Sequence, residues 1–334
     1  MINFSNISEV WTVRLKIIES CNWSCDFCHN EWDIDAWVLE WTTELRDALV
    51  KFRDSLNVYE IHLTWWEPSL NKNIWDIVTW ARQLWMKVKM TTNWQFSENV
   101  RDALVDSGID AVNFSLQSLD PDLLIQMMTK TKDVEWAKWQ IDSAKSNIRN
   151  LHSQGIKVRV NAVLWWIKDL ERVKGVMNWA IPTWIEMRVL DDLLNKEASA
   201  RAIETLIWSY NAKLSRTIFT PWTSSSRKIY EMQDWNWEFT VKHIEQVYLP
   251  DLCEWCAHFW SNTCNEWFYN IRMQKDRKTW KFIVVLCIQN INQESVVDSE
   301  TFLSHYHNKK YEVPTISRWS WSIQGKRIIP IGRI

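Results

Sequence analysis

Glycine is scarce in this sequence. At the usual share of about 7% a chain of this length carries roughly 23 glycines. This one has 5, beside 27 tryptophans. The shortfall is close in size to the tryptophan excess, so composition alone implies that many tryptophans stand in glycine positions. Basic excess is missing too: a net charge of −2 leaves nothing to neutralise phosphates, which excludes a generic binder of nucleic acid or membrane surfaces. Long apolar runs are absent, and residues 282–288, beside a cysteine, fall far short of a bilayer span. The opening MINFSNISEV lacks the basic and apolar segments of a signal peptide. These absences predict a soluble cytoplasmic protein, built as one large domain with an appendage or as two domains.

What is present alternates. Strand-like stretches at 12–18, 58–64, 86–91, 111–116, 157–163 and 185–190 are separated by amphipathic stretches such as 43–56, 71–85, 98–107, 134–154 and 168–179. Six βα repeats in order predict an α/β fold with a parallel sheet, open or curved into a partial (βα)6 barrel. Gly108 and Gly155 sit where helices end and strands begin. A further helix is expected over 195–217. Strands at 228–232, 237–241 and 282–286 then belong to a small cysteine-rich C-terminal region. The expected division is 8–215 for the barrel, 216–307 for that region and 308–334 for a tail.

Seven cysteines form two groups. Cys21, Cys25 and Cys28 make C-x3-C-x2-C directly after the first strand. Cys253, Cys256, Cys264 and Cys287 make C-x2-C-x7-C-x22-C. An odd count and tight spacing argue against disulfides in a cytosolic chain. Structural zinc fits the first spacing poorly and stays open for the second. Thiolates also suit iron–sulfur clusters, and three cysteines on a cubane leave one iron free for another ligand.

These residues carry a resemblance. CNWSCDFC, with Phe27 before its last cysteine, resembles the cluster loop of radical S-adenosylmethionine (SAM) enzymes. LTWWEPSL looks like that superfamily's Gly-Gly-Glu-Pro strand end, with Trp65 and Trp66 in the glycine places. TTNWQF, from Thr91, looks like its Thr-Thr-Asn-Gly turn with Trp94 for glycine, and NFSLQSLDP and VRVNAVL match further strands in order. Within the superfamily the likeness is greatest to the GTP cyclase group of molybdenum cofactor synthesis (molybdenum cofactor biosynthesis protein A).

The resemblance implies a partial barrel with a [4Fe–4S] cluster on Cys21, Cys25 and Cys28. SAM would bind its open iron and be cleaved reductively to a 5′-deoxyadenosyl radical that takes hydrogen from a small, anionic substrate. It implies a second, auxiliary [4Fe–4S] cluster on Cys253, Cys256, Cys264 and Cys287, and an electron donor such as flavodoxin or ferredoxin. SAM contacts would come from Phe27, Trp65, Trp66, Glu67, Asn93, Ser115 and Gln117, and substrate contacts from Arg14, Thr91, Arg159 and Arg272. Blander roles stand beside these. Ser115 and Gln117 would equally cap strand ends, Glu67 would hold its own strand end, and Arg14 and Arg159 would form structural ion pairs. His62 stands where the cyclase group has arginine, a pair of arginines there is reduced to Arg272, and the chain ends in IGRI without a diglycine tail. A relative of the cyclase is therefore expected rather than the cyclase itself. Two alternatives stay open: a radical peptide-modifying enzyme with an auxiliary cluster, and a non-catalytic iron–sulfur or zinc protein on the same fold.

Trp65, Trp66, Trp94, Trp222, Trp267 and Trp280 all fall at apparent turns or close-approach sites, where glycine is wanted for positive φ. Independent selection of tryptophan at so many turns is improbable. The pattern predicts that these codons are UGA in a lineage that reads UGA as glycine. Sequencing the gene checks this: UGA is expected at codons 65, 66 and 94, and UGG there would reject it.

Overall fold

The computed structural model describes residues 11–25, 28, 38–93, 95–130, 132–192, 195–219, 225–233, 237–244, 247–248, 253–261, 271–287, 296–306, 322–323 and 326–328. Phe27, Trp94, Trp222, Cys264, Trp267 and most of the expected tail lie outside them.

The chain runs β1 (Trp11–Lys16), α1 (Thr43–Leu56), β2 (Val58–Thr64), α2 (Ile74–Gln83), β3 (Lys87–Thr92), α3 (Glu98–Asp106), β4 (Ala111–Ser115), α4 (Pro121–Gln126), α5 (Val134–Ser153), β5 (Lys157–Leu164), α6 (Leu170–Ala180), β6 (Glu186–Asp191) and α7 (Lys196–Ser209). Strands β1 to β6 pair in parallel in chain order, as the βα alternation predicts. Side chains alternate across each strand. One face carries Val13, Leu15, Ile61, Leu63, Val88, Met90, Phe114, Val160 and Val189, all buried. Against it pack Leu49 and Phe52 of α1, Val78 of α2, Leu104 of α3, Ile148 of α5 and Val176 of α6. Helix starts follow their caps: Thr42 accepts from Leu45 N, and Asp133 accepts from Trp136 N at 2.6 Å.

Beyond residue 209 the structure differs from the sequence expectation. The helix ends at Ser209, Asn211 turns with φ 46°, and 212–219 form β7 (Ala212–Phe219). Thr217, Ile218 and Phe219 suit a strand better than a helix end. β8 (Ser225–Met232) and β9 (Trp237–Ile244) follow, and they are not a separate sheet: β9 pairs in parallel with β6, and β8 and β7 continue antiparallel. After β10 (Val247–Tyr248) and α8 (Ala257–Trp260), β11 (Ile271–Lys275) pairs in parallel with β1 at the opposite edge. β12 (Phe282–Val285) and β13 (Val296–Asp298) extend that edge antiparallel, and α9 (Ser299–Tyr306) packs on α1. The result is one 12-stranded sheet whose parallel part has β11 and β9 flanking the expected six. β14 (Ser322–Ile323) and β15 (Lys326–Ile328) form a small sheet with β10. Among the described residues, no helix is long and apolar enough to cross a membrane.

Helix endings reveal what the tryptophans are doing. Gly108 and Gly155, at φ 80° and 79°, close α3 and α5 with the same two hydrogen bonds. Gly108 N donates to Val105 O and Ile109 N to Leu104 O; Gly155 N donates to His152 O and Ile156 N to Leu151 O. Trp85 and Trp184, both at φ 61°, repeat that pair at the ends of α2 and α6: Trp85 N to Arg82 O with Met86 N to Ala81 O, and Trp184 N to Ile181 O with Ile185 N to Ala180 O. This left-handed ending favours glycine or asparagine, and two further left-handed helix-to-strand junctions among the described residues use Asn57 and Asn211. The indoles gain nothing there, since Trp85 and Trp184 are 84% and 79% exposed. Trp65, Trp66 and Trp280 also have positive φ, at 69°, 49° and 61°. Three turn positions anticipated from sequence are thus left-handed, and two more, Trp85 and Trp184, were not anticipated.

Left-handed backbone costs a residue with a Cβ about 1–2 kcal/mol. Trp85→Gly and Trp184→Gly are each expected to stabilise the fold by about 1 kcal/mol after the entropy glycine loses on folding. Trp85→Ala, which keeps the Cβ, is not expected to do so. Denaturant melts check this, and equal gains from Ala and Gly would assign the effect to the exposed indole instead.

Candidate functional site

A parallel sheet covered on both faces is ordinarily apolar on both. Here the face away from the helices is polar at every second residue: Thr12, Arg14 and Lys16 on β1; Glu60, His62 and Thr64 on β2; Lys89 and Thr91 on β3; Asn113 and Ser115 on β4; Arg159 and Asn161 on β5; Glu186 and Arg188 on β6; Lys242 on β9. The register aligns them in rows, Arg14 beside His62 beside Lys89, and Thr91 beside Asn113 beside Arg159 beside Glu186. The sheet curls so that its ends face each other. Burial first, and then the Arg14 and Arg188 charges, push the Lys242 ammonium down to about 7, although β9 and β1 lie at opposite sides of the parallel set. This polar face therefore lines a lumen.

Within it, a hydrogen-bonded ribbon crosses five strands. His62 Nε2 meets Thr91 Oγ1 at 2.7 Å, and Asn113 Nδ2 donates to the same oxygen at 3.2 Å. Arg159 donates to Asn113 Oδ1 at 3.4 Å and to Glu186 Oε2 at 2.8 Å, and Arg188 donates to Glu186 Oε1. Burial alone would raise Glu186, but the Arg188 and Arg159 guanidiniums hold its carboxyl at about 2. Burial, then the charges of Lys89 and Arg14, keeps His62 well below its usual value and neutral. Lys89 is paired with Glu60, which also accepts from Thr12 Oγ1 at 2.7 Å. Burial brings Lys89 down to about 8 against that carboxylate's pull.

The cysteine loop lies at the C-terminal mouth of this lumen, where parallel α/β folds place their ligands. Several attachments hold it. Glu67 N donates to Ser20 O at 3.1 Å, Asn93 Nδ2 reaches Cys21 Sγ at 3.5 Å, Thr129 N donates to Ser24 O at 2.7 Å, and Cys25 bridges Met128. Trp23 N also donates to Cys21 Sγ, at 3.4 Å, and Cys28 N closes a turn on Cys25 O at 3.2 Å. Burial pushes the Cys21 thiol up, and the nearby Glu67 and Cys28 add to this. Among the described residues no three His, Cys, Asp or Glu side chains converge at metal-binding distance. The triplet is thus a donor set carried on one loop rather than an assembled cage.

Glu67 is the hub behind that loop. Fully buried, it accepts from Ser69 N at 3.0 Å, Ser69 Oγ at 2.6 Å, Thr92 Oγ1 at 2.7 Å and Asn93 N at 2.6 Å. Burial raises its carboxyl and these donors oppose the rise. Of its two expected roles, holding the strand end is the one these bonds perform. Gln117 likewise spends its side-chain oxygen on Val163 N at 2.9 Å, tying the ends of β4 and β5. Ser115 ends β4 beside Asn161.

Arg14 donates to Thr64 Oγ1 at 3.1 Å, and its guanidinium lies 4.5 Å from the centre of the Trp65 ring. Trp65 also packs on Ile283 and Val285 of β12, and Trp66 is exposed. One indole thus covers Arg14 and the other faces solvent. Arg272, beside Arg14 in register and fully buried, donates to Leu286 O at 3.4 Å. Of the C-terminal cysteines, Cys256 N closes on Cys253 O at 3.2 Å in the same turn as Cys25–Cys28, and Cys287 is buried just past β12. Lys89, Glu60, Glu186, Arg188 and Lys242 escaped the sequence reading. Their signal was available as polar residues at period two in strands that should be apolar throughout.

Residues 15–178 match the sequence profile of the Radical SAM superfamily, from β1 to α6. That segment belongs to the radical SAM superfamily. It is similar to the probable GTP 3′,8-cyclase of Thermococcus kodakarensis, 32% identical over 114 residues, covering 34% of this chain and 37% of that protein. It is also similar to the probable GTP 3′,8-cyclase of Methanocaldococcus jannaschii, 31% identical over 163 residues, covering 48% and 53%. The chain thus spans about half the length, or less, of these curated relatives. Among solved structures, Streptococcus suis SuiB bound to S-adenosylmethionine is similar at 19% identity and TM-score 0.46, over 63% of this chain and 47% of that one.

Glu186 gives the site a pH signature. Its folded value of about 2 lies below the ordinary glutamate value of about 4.3. The stability it contributes is therefore present above pH about 4.3 and lost as pH falls toward about 2. Glu186→Gln is expected to cost about 3 kcal/mol at neutral pH, by leaving Arg159 and Arg188 short of their partner. Urea melts across pH should show a flatter acid limb for the variant; parallel limbs would assign the acid loss elsewhere.

Proposed function

We propose that this chain is a radical SAM enzyme acting on a small anionic substrate held in the lumen, related to the GTP cyclase group but distinct from the cyclase. The lumen carries the reading. Arg14, Lys89, Arg159, Arg188 and Lys242 outnumber Glu60, Glu186 and Asp191 among its described groups, and buried cations in excess favour an anionic guest. Arg159 and Arg188 already hold Glu186 and would serve as scaffold. Arg14 and Lys242, nearer the cysteine loop, would receive the anion. His62, neutral and bonded to Thr91, supports a substrate other than GTP, because an arginine would be expected there for a polyphosphate.

The residues present fit a [4Fe–4S] cluster on Cys21, Cys25 and Cys28. Three thiols share one loop, and two N–H groups already aim at Cys21 Sγ as they would at a thiolate. When bound, that cluster supplies the electron that cleaves SAM. This chain's own residues do the rest: Glu67 fixes the loop to the ends of β2 and β3, and Asn93 joins Glu67 to Cys21. The lumen walls orient substrate and exclude water. Cys253, Cys256, Cys264 and Cys287 would hold the auxiliary cluster, and the matching Cys253–Cys256 turn supports that assignment. An extra cysteine relative to the cyclase group favours full ligation there.

Anaerobic reconstitution should give about eight irons per chain, and Cys21→Ala/Cys25→Ala/Cys28→Ala about half that with no 5′-deoxyadenosine formed. Retained 5′-deoxyadenosine formation in the triple variant would overturn the assignment. Trp65→Gly/Trp66→Gly, which uncovers Arg14 and relaxes two left-handed residues, is expected to turn negligible SAM binding into measurable binding by titration calorimetry. Tight binding by the unsubstituted chain would contradict this view of the strand end.

A further inference from the structure

The other mouth of the barrel holds a cavity of about 530 Å³. Lys157, Glu186 and Trp237, which open β5, β6 and β9, line it, so it lies at the N-terminal ends of the parallel strands. The β7–β8 hairpin closes one side with Ile218, Ile229 and Arg227, and Met187 and Ile185 give an apolar floor. It is far from the cysteine loop, which follows the C-terminal end of β1.

Among the described residues, the charged groups here each find a polar or charged neighbour, Arg227 excepted. Arg216 is held by both oxygens of Glu238, at 2.7 and 2.8 Å. Glu231 accepts from Ser215 Oγ at 2.5 Å. Glu186 is taken up by Arg159 and Arg188, with Lys157 at 3.8 Å. Arg227 remains: among the described residues it makes no hydrogen bond or ion pair. Burial lowers its guanidinium, and Glu186 and Glu60 oppose that only at longer range. A largely buried arginine without a direct partner is costly unless something else meets it, and the open space beside it is where a ligand can do so.

We propose that this cavity is a second ligand site, taking a small organic anion whose single carboxylate or phosphate pairs with Arg227 and whose apolar body lies on Ile229, Ile185 and Met187. The volume is in the range of small-molecule sites, about 300–1,000 Å³. The planar guanidinium offers two parallel donors to either anion. Neither tryptophan at the rim is needed for the argument, so it stands whether Trp184 or glycine occupies that turn. The site is independent of the proposed SAM chemistry, but it touches the lumen through Glu186, which faces both spaces.

Titration calorimetry on the full chain, with phenylacetate and phenylphosphate as probes and phenylacetamide as the uncharged control, tests this without any cofactor. Both anions are expected to bind with Kd below about 1 mM and the amide not to bind. Arg227→Met should weaken the anions about tenfold or more. Arg227→Lys should retain part of the affinity and thereby exclude misfolding as the cause. Lys138→Met, on the exposed face of α5, should leave it unchanged. No binding by either anion, equal binding by Arg227→Met, or loss in Lys138→Met instead would each overturn the proposal. If phenylphosphate alone binds, the ligand is a phosphate; if phenylacetate alone, a carboxylate.

Discussion

The carboxylate of Glu67 takes four hydrogen bonds at the point where two strand ends and the cysteine loop meet. A buried carboxylate is tolerable only when its acceptor capacity is used, and the groups that use it are Ser69, Thr92 and Asn93. Asn93 in turn reaches Cys21 and Asn22, the latter at 2.8 Å, while Glu67's own N–H holds Ser20. The position of the first cysteine is therefore set by one buried charge, through bonds that start on three different segments. Remove the carboxylate and the loop keeps the Glu67 N–H bond to Ser20 and its attachments to Met128 and Thr129, while Thr92 and Asn93 lose the acceptor that orients Asn93 toward Cys21.

The same requirement, that a buried charge be met, divides the lumen into two levels. Toward the N-terminal ends, Glu186 with Arg159 and Arg188, and Glu60 with Lys89, neutralise one another. Pairs of this kind add little net stability, yet breaking one is costly, so they make a rigid floor rather than a binding surface. Along the rest of the wall, Lys242 lies near Arg14, Arg188, Asp191 and Lys89. Burial, with the charges of Arg14 and Arg188, lowers the Lys242 ammonium to about 7.

Much of this was legible in the sequence. Strand β2 and helix α1 fall where the apolar periodicity puts them, and Arg14, Thr91 and Arg159 do line the lumen. The unread part has physical causes. A residue's partner across a sheet is not encoded locally, so Glu186, twenty-seven positions from Arg159, could not be assigned to it in advance. The strands beyond residue 209 were assigned to a separate region because nothing in their local pattern says that β9 and β11 return to flank β6 and β1. The helix predicted across 195–217 ran too far because its stop is Asn211, a weaker mark than glycine.

Weak punctuation points to the deeper cause. Among the described residues, six helix-to-strand junctions need a left-handed residue, and they use two glycines, two asparagines and two tryptophans. The first four obey the stereochemistry of L-residues and the last two defy it. Trp85 and Trp184 make backbone hydrogen bonds of the same pattern as Gly108 and Gly155, while their indoles lie in solvent, so the fold treats them as glycines. Trp65 shows the functional side of the same anomaly. Its left-handed backbone sits where the resemblance puts glycine, and its ring rests on the guanidinium of Arg14. One substitution, glycine for tryptophan, would relieve the strain at these turns and uncover the arginine together. A UGA codon read as glycine in the source lineage would account for the scarcity of glycine, the misplaced tryptophans and the covered cation together.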